Sequence, residues 1–385
     1  MSYILDIATA VPPHSVSNAE LTNFYAHAVE ASGLDSVRRK LKIISDKTKI
    51  KNRYSCVPDF NGRSNELFTT ENYEQSVERR TAIYKEKIMP LAISAIDKLL
   101  HQTNCKPAEI THLITVSCTG VFAPGFEFSV AKHYDLNHTE KLGVNFLGCY
   151  AAVKAIKHAH YIASAVPSAC ILIICTELCS LHFTPSITDD DILSNLLFAD
   201  GAAATMVVGN ENKKARDKTV LDISAISSAF IPNTLDLMTW NISSTAFKMH
   251  LSKFLVDAIR ENVSDAINGF IKEASSTADY WAIHPGGVRI VDAVKQSLDL
   301  SDHDVQDSLA ILENYGNMSS PTILFVLQRI FDKIKEAPEN ENKNKNIITC
   351  AFGPGLTIEM MNLSVVNTST KSDVTKKLGD YAIQK

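Results

Sequence analysis

The 385-residue chain lacks the marks of several large protein classes. No uncharged apolar run approaches the ~20 residues that a membrane-crossing helix needs, so no helical span is expected. Positive charge is not in excess. Lys and Arg number 38 against 43 Asp and Glu, and a net charge of −5 gives no electrostatic reason to bind nucleic acid. The first residues, MSYILDIATAVPPHSV, carry no basic segment, and Asp6 interrupts their apolar stretch, so no secretory signal is expected. The eight cysteines are scattered without a CxxC pair, which fits a reducing cytoplasm better than a disulfide scaffold. Cys175 and Cys179 lie close together, but no second ligand pair or His cluster joins them, so no metal is expected. Neither a Gly-rich phosphate loop nor a GxSxG elbow is present.

What is there is an ordinary globular composition, 45% apolar and 21% charged, on a chain long enough for two domains or one large duplicated one. The first third reads as mostly helical and includes a strongly basic stretch, SVRRKLKIISDKTKIKNRY (36–54). ITHLITVSCTG (110–120) reads as a buried strand entering a turn, and KLGVNFLGCYAAVKAIKHAHYIASA as strand, turn and helix. SACILIICTELC (168–179) is a continuous apolar run, hence a strand covered on both faces. ADGAAATMVVGN and LDISAISSAF read as further strands. The second half repeats this succession, through DYWAIHPGGVRIVDAVKQSLDL and ENYGNMSSPTILFVLQRIFDKI, and closes on strands around the turn in CAFGPGLTIEMMNLSVV. The expected fold is α/β, from two similar halves, 1–215 and 216–366. The polar segment 335–346 reads as a solvated loop and 367–385 as a flexible tail.

Three residues stand out chemically. Cys149 ends an apolar run at Gly-Cys, where an Ala-rich helical pattern begins. Core filling is the plain reading of a buried cysteine. A helix N-terminus would instead favour the thiolate and lower its pKa. His284, in WAIHPGG, sits where a strand turns into a helix, the end of α/β strands where sites gather. A structural His is the plain alternative. Asn317, in YGNMSS, precedes another helix as a cap or as an amide donor to an oxyanion. Together they supply a nucleophile, a base and an amide donor, the set that acyl transfer through a thioester requires.

GCYAA, LFADGAAATMVVG, WAIHPGG, YGNMSS and FGPGLTIEMMNLSVV occur in this order along the chain. In that combination the sequence resembles the type III polyketide synthases, the chalcone and stilbene synthase-like enzymes of the thiolase fold, from near its start to Val366. ELCSLHF and DLMTW…AFKMHLS are similar to the bacterial branch that makes alkylresorcinols and alkylpyrones. The resemblance implies a thiolase-like αβαβα layered fold and a homodimer. It implies no cofactor, the substrates being malonyl-CoA and an acyl starter, expected to be fatty acyl, on CoA or a carrier protein. It makes Cys149 the acyl carrier, with His284 and Asn317 holding the thioester oxygen. Phe198 and Phe247 match gatekeeper phenylalanines. Cys118, Thr119, Cys179, His182, Ser194 and Pro354 match positions lining the substrate cavity, where small residues at 118 and 179 would leave a tunnel for a long chain. Lys40 and Lys47 match lysines that bind CoA phosphates, while Ile43 stands where the family has an arginine. Ala152 and Val153 replace glycines behind the nucleophile, and Ala351 replaces another.

The runner-up is an initiating β-ketoacyl-ACP synthase, which shares this fold and chemistry but condenses once. A papain-like Cys-His-Asn hydrolase and a non-catalytic scaffold of the same fold fit the motif surroundings less well.

Overall fold

A computed structural model describes residues 1–34, 37–62, 65–69, 72–338 and 344–368. The N-terminal half runs β1 (Ser2–Ala10), β2 (His14–Ser17), α1 (Asn18–Ala31), α2 (Arg38–Thr48), β3 (Asn52–Ser55), α3 (Val77–Thr103) and β4 (His112–Ser117). It continues with α4 (Phe126–His133), β5 (Glu140–Asn145), α5 (Ala151–Ala165), β6 (Cys170–Leu178), α6 (Asp189–Leu197) and β7 (Asp200–Gly209). The C-terminal half runs β8 (Thr219–Phe230), β9 (Met238–Ile242), β10 (Phe247–Leu251), α7 (Leu255–Glu273), β11 (Tyr280–Ile283) and α8 (Val288–Ser297). It ends with α9 (Asp302–Tyr315), α10 (Thr322–Glu336), β12 (Asn346–Gly353) and β13 (Thr357–Asn367). The segment 335–346 is described only in part, and the tail beyond Thr368 lies outside the described residues.

Nine strands form one mixed sheet in the order β11-β12-β13-β8-β1-β7-β6-β4-β5. The duplication is visible in its pairings. From the middle outward, β1-β7-β6-β4 pair antiparallel, antiparallel, parallel. In the other half β8-β13-β12-β11 pair in the same succession. The halves join at the centre, where Tyr3 and Ile4 of β1 face Asp222 and Leu221 of β8. β1 itself begins inside a segment whose composition had suggested helix; its alternation is masked because both faces are covered.

Three apolar cores give the layers. One packs α1 and α3 on an outer face of the N-terminal strands. A second packs α7 and α8 on the outer face of the C-terminal strands. The third lies between the halves and is built on α5 and α10, with Ile171, Ile173 and Val207 from one side and Ile347, Met361 and Leu363 from the other. A helix that packs between strands must be apolar and narrow on the faces that meet them. In AAVKAIKHAHYIASA, Ala151, Ala152, Val153, Ala155, Ile156 and Ala159 are fully buried. Ala152 and Val153, expected from the resemblance to replace glycines, are thus core contacts. Among the polar residues of α5, Lys154 meets the fully buried Glu359 of β13 at 2.5 Å and ties the helix to the C-terminal strands.

One glycine turn aims α5. Gly148 has φ +77°, and a Cβ there would stand 2.7 Å from Pro354 Cδ. Only glycine combines that backbone with that close approach. This fixes the step before α5 against the turn joining β12 and β13.

Candidate active site

Cys149, His284 and Asn317 come from three separate turns and line one cavity of about 370 Å³. All three are nearly sealed from bulk solvent, at 6%, 1% and 2% exposure.

His284 continues the β11–β12 ladder by one residue, its N–H donating to Cys350 O at 2.9 Å. The chain then folds back, with Gly286 N donating to His284 O, before α8 begins. Neither ring nitrogen of His284 has a hydrogen-bond partner among the described residues. Buried polar atoms are rarely left so, and one facing a cavity calls for a ligand.

Asn317 lies five residues ahead of α10 and caps no helix. Its backbone instead forms a bridge to Phe198: Asn317 N donates to Leu197 O at 3.0 Å, and Ala199 N donates to Asn317 O at 2.9 Å. Its side chain is held at both ends. Oδ1 accepts from Ser319 N at 2.8 Å, and Nδ2 donates to Gly286 O at 3.3 Å. These partners fix which way the amide points. Nδ2 faces Cys149, 4.0 Å from Sγ. Ser319 itself sits at φ +57°, an uncommon backbone for a non-glycine residue, and its hydroxyl favours the Cys149 thiolate.

The helix after Cys149 starts at Ala151, not at the cysteine as the sequence pattern suggested. Burial outweighs the helix end. It pushes the Cys149 thiol up to about 11, against the Ser319 hydroxyl and the Asn317 amide, which favour the thiolate. Burial likewise pushes the His284 imidazole down to about 3. Both shifts work against a thiolate–imidazolium pair, where the sequence pattern had pointed to a lowered thiol pKa.

Glu177 escaped the sequence reading although it is the one charge within the apolar run of β6. It is fully buried and organises the floor of the site. Its carboxylate accepts from Cys118 N at 2.8 Å, Thr119 Oγ1 at 2.8 Å and Ser320 Oγ at 2.6 Å. Burial, opposed by these donors, raises its pKa to about 7.

The matched cavity residues divide. Cys179, His182, Ser194, Phe198 and Phe247 line a second space of only about 50 Å³, beside Trp240. Phe198 borders both spaces. His182 and Phe247 stack at 4.2 Å, and the His182 ring is pinned by Thr119 O at 2.8 Å and by Phe247 N–H at 3.1 Å. Trp240 Nε1 donates to Cys118 O at 2.9 Å. Cys118, Thr119 and Pro354 line neither space. Cys118 Sγ accepts from Gly148 N at 3.2 Å, Thr119 serves Glu177, and Pro354 packs on Gly148. Of the positions expected to leave a tunnel, Cys179 lines the 50 Å³ space that the rings of His182, Trp240 and Phe247 border, and Cys118 does not line it. Lys47 lines the large cavity, whereas Lys40 is bound to Asp189 and to Ile187 O.

A buried cysteine, an imidazole and an oriented amide thus line one cavity of a duplicated α/β fold. The chain belongs to the chalcone and stilbene synthase family. The family model for the N-terminal domain of these synthases matches residues 1–211, and that for the C-terminal domain matches 222–367. Among curated proteins, polyketide synthase 37 of Dictyostelium discoideum is 30% identical over 322 residues, 82% of this chain. The chain spans only 11% of that relative's length. Among solved structures, PKS-I from the brown alga Ectocarpus siliculosus superposes with a TM-score of 0.86 at 27% identity, covering 95% of this chain and 98% of that one. 1,3,6,8-Tetrahydroxynaphthalene synthase of Streptomyces coelicolor A3(2), a bacterial type III polyketide synthase, gives 0.82 at 25% identity, with 94% and 99% covered. These relatives span an amoeba, an alga and a bacterium and do not single out a bacterial branch.

Two outcomes follow. Alkylation of Cys149 by iodoacetamide, read by peptide mass spectrometry, should accelerate steadily from pH 6 to pH 9; a rate already flat at pH 6 would mean a preformed ion pair. Glu177 is neutral-favouring when folded, so the stability it contributes is full below about 4.5 and is lost as pH rises through about 7. Glu177→Gln should therefore flatten the fall in unfolding free energy between pH 5 and 8, measured by urea titration. An unchanged slope would contradict the shift.

Proposed function

We propose that the protein is a decarboxylating condensing enzyme that joins an acyl thioester to malonyl-CoA units, with Cys149, His284 and Asn317 as its catalytic residues. The observation that carries this is the orientation of Asn317 Nδ2, aimed at the Cys149 sulfur within a cavity that His284 also lines with two unpartnered nitrogens. His284 takes the proton from the Cys149 thiol as sulfur attacks the starter thioester, and the CoA thiol leaves with a proton. The malonyl thioester then loses carbon dioxide. The electron pair of the broken C–C bond becomes an enolate, whose oxygen faces the Asn317 amide and the His284 ring N–H. Donors aimed at a charge that develops in the reaction lower its barrier. The enolate carbon attacks the Cys149 thioester, forming the new C–C bond and releasing sulfur. The apolar flank of Phe198 favours the uncharged product of decarboxylation over the carboxylate.

The finer reading, resting on the resemblance, is several extensions of a fatty acyl starter, with closure to alkylpyrones or alkylresorcinols. The 50 Å³ space beyond Phe198 limits what fits there, so a long tail needs the stacked His182 and Phe247 to move. Acyl-CoAs of graded length with labelled malonyl-CoA test the whole reading by product mass. Multiply extended cyclised products support it, and a single β-ketoacyl product indicates the initiating synthase. Cys149→Ala should abolish turnover by at least about a thousandfold. His182→Ala should lengthen the accepted starter and Cys179→Phe shorten it; an unmoved preference in both would place the chain elsewhere.

We also infer a homodimer. β5 is the outer strand of the sheet, and Leu142 on it, Phe128 on α4 and Val121 in the loop after β4 are exposed large apolar residues. Sheet edges of this kind invite pairing. Sedimentation at micromolar concentration should give a dimer that Leu142→Glu weakens; a wild-type monomer would remove this reading.

A further inference from the structure

At the end of β6 remote from Glu177, the fold brings together two thiols that the chemistry at Cys149 does not use. Cys170 opens the strand and is 1% exposed. Its backbone is fixed by one residue: its N–H donates to Thr111 Oγ1 at 3.0 Å, and its carbonyl accepts from Thr111 N at 2.8 Å. Its sulfur lies 3.5 Å from Met206 Sδ on β7. Cys105 lies in the short segment between α3 and β4, itself buried but flanked by the exposed Asn104 and Lys106. A single loop after β7 holds the neighbours of both cysteines. Lys214 Nζ donates to Asn104 O at 2.5 Å and pairs with Glu109 at 2.8 Å. Asn212 Nδ2 donates to Ser168 O at 3.0 Å and to Ala169 O at 3.2 Å. Within this junction the Cys105 and Cys170 thiols are in hydrogen-bond contact, and both are free.

We propose that Cys105 and Cys170 form a modification site for hydrogen peroxide, which closes them to a disulfide that ties the α3–β4 segment to β6. The Cys105 sulfur attacks one peroxide oxygen. The O–O bond breaks, hydroxide leaves, and Cys105 becomes a sulfenic acid. The proton that Cys105 gave up neutralises the hydroxide. The Cys170 sulfur then attacks the Cys105 sulfur. The S–S bond forms, the S–O bond breaks, and the oxygen leaves as water with the Cys170 proton. In sum two thiols are oxidised, and one peroxide is reduced to two waters. The surroundings divide these roles. The hydrogen bond from Cys170 favours the Cys105 thiolate against burial, and the nearby Lys214 ammonium adds to it. The same bond, with burial, keeps Cys170 protonated. A disulfide needs its sulfur atoms about 2 Å apart. Cys170 is held in a strand flanked by β7 and β4, so the approach falls to Cys105 on its connecting segment.

The test treats the whole chain with hydrogen peroxide, blocks the remaining thiols with iodoacetamide in urea, and maps the digested peptides by mass spectrometry. A Cys105–Cys170 linked peptide is expected, lighter by two hydrogens than the sum of its parts and lost after dithiothreitol. Cys170→Ala should stop at a Cys105 sulfenic acid, which dimedone captures. Cys105→Ala should leave the Cys170 thiol in place at a peroxide dose that consumes it in the wild type. Both thiols staying reduced while other cysteines are oxidised would overturn the proposal. So would linkage of either to a third cysteine, or equal loss of the Cys170 thiol with and without Cys105. The wild-type peptide map decides the matter even where a variant fails to fold.

Discussion

The site depends on a short backbone bridge between the end of α6 and the turn before α10. Asn317 exchanges hydrogen bonds with Leu197 and Ala199, and Arg53, itself buried, donates from Nη1 to Phe198 O at 3.3 Å. This is where the C-terminal half is pinned to the N-terminal half at the level of the cavity. It sets Phe198 and Asn317 together, so the apolar wall and the amide donor cannot drift independently. Among the described residues the Arg53 guanidinium has no carboxylate partner, and burial pulls its pKa down to about 9. A cation held at that cost marks how much of the local structure is spent on position rather than on stability.

Glu177 does for the floor what the bridge does for the wall. A carboxylate with no exposed surface is expensive unless its lone pairs are met, and here donors from two segments meet them. Those segments are the turn after β4 and the residues that follow Asn317. The same turn carries the carbonyls that hold Trp240 and His182. The ring cluster that narrows the space behind Phe198 is therefore tied, through one turn, to the group that steadies the floor beneath the nucleophile.

Much of this was legible in the sequence. The continuous apolar run of β6, the Ala-rich α5 and the Gly turns at 148 and 316 each dictate local structure through burial or backbone freedom. The repeated strand–turn–helix order announced the duplication that the sheet pairings bear out. The three chemical residues stood out because each lies beside a turn between elements, although core filling, a structural imidazole and a helix cap stood as plain alternatives. Less legible were properties that arise from distant partners. The engagement of Lys40 depends on Asp189, 149 positions on in the chain, and the narrow space that Cys179 lines depends on Trp240 and Phe247. Glu177 did leave a trace, a lone acid in an otherwise apolar strand. The thiol of Cys149 was misread because a helix end is a local feature, whereas desolvation belongs to the whole fold.

The duplication has a further consequence. α5 and α10 occupy matching places in the central layer, yet the turn before one bears sulfur and the turn before the other bears an amide. In the proposed mechanism the two halves divide the labour, and neither half alone carries a working set.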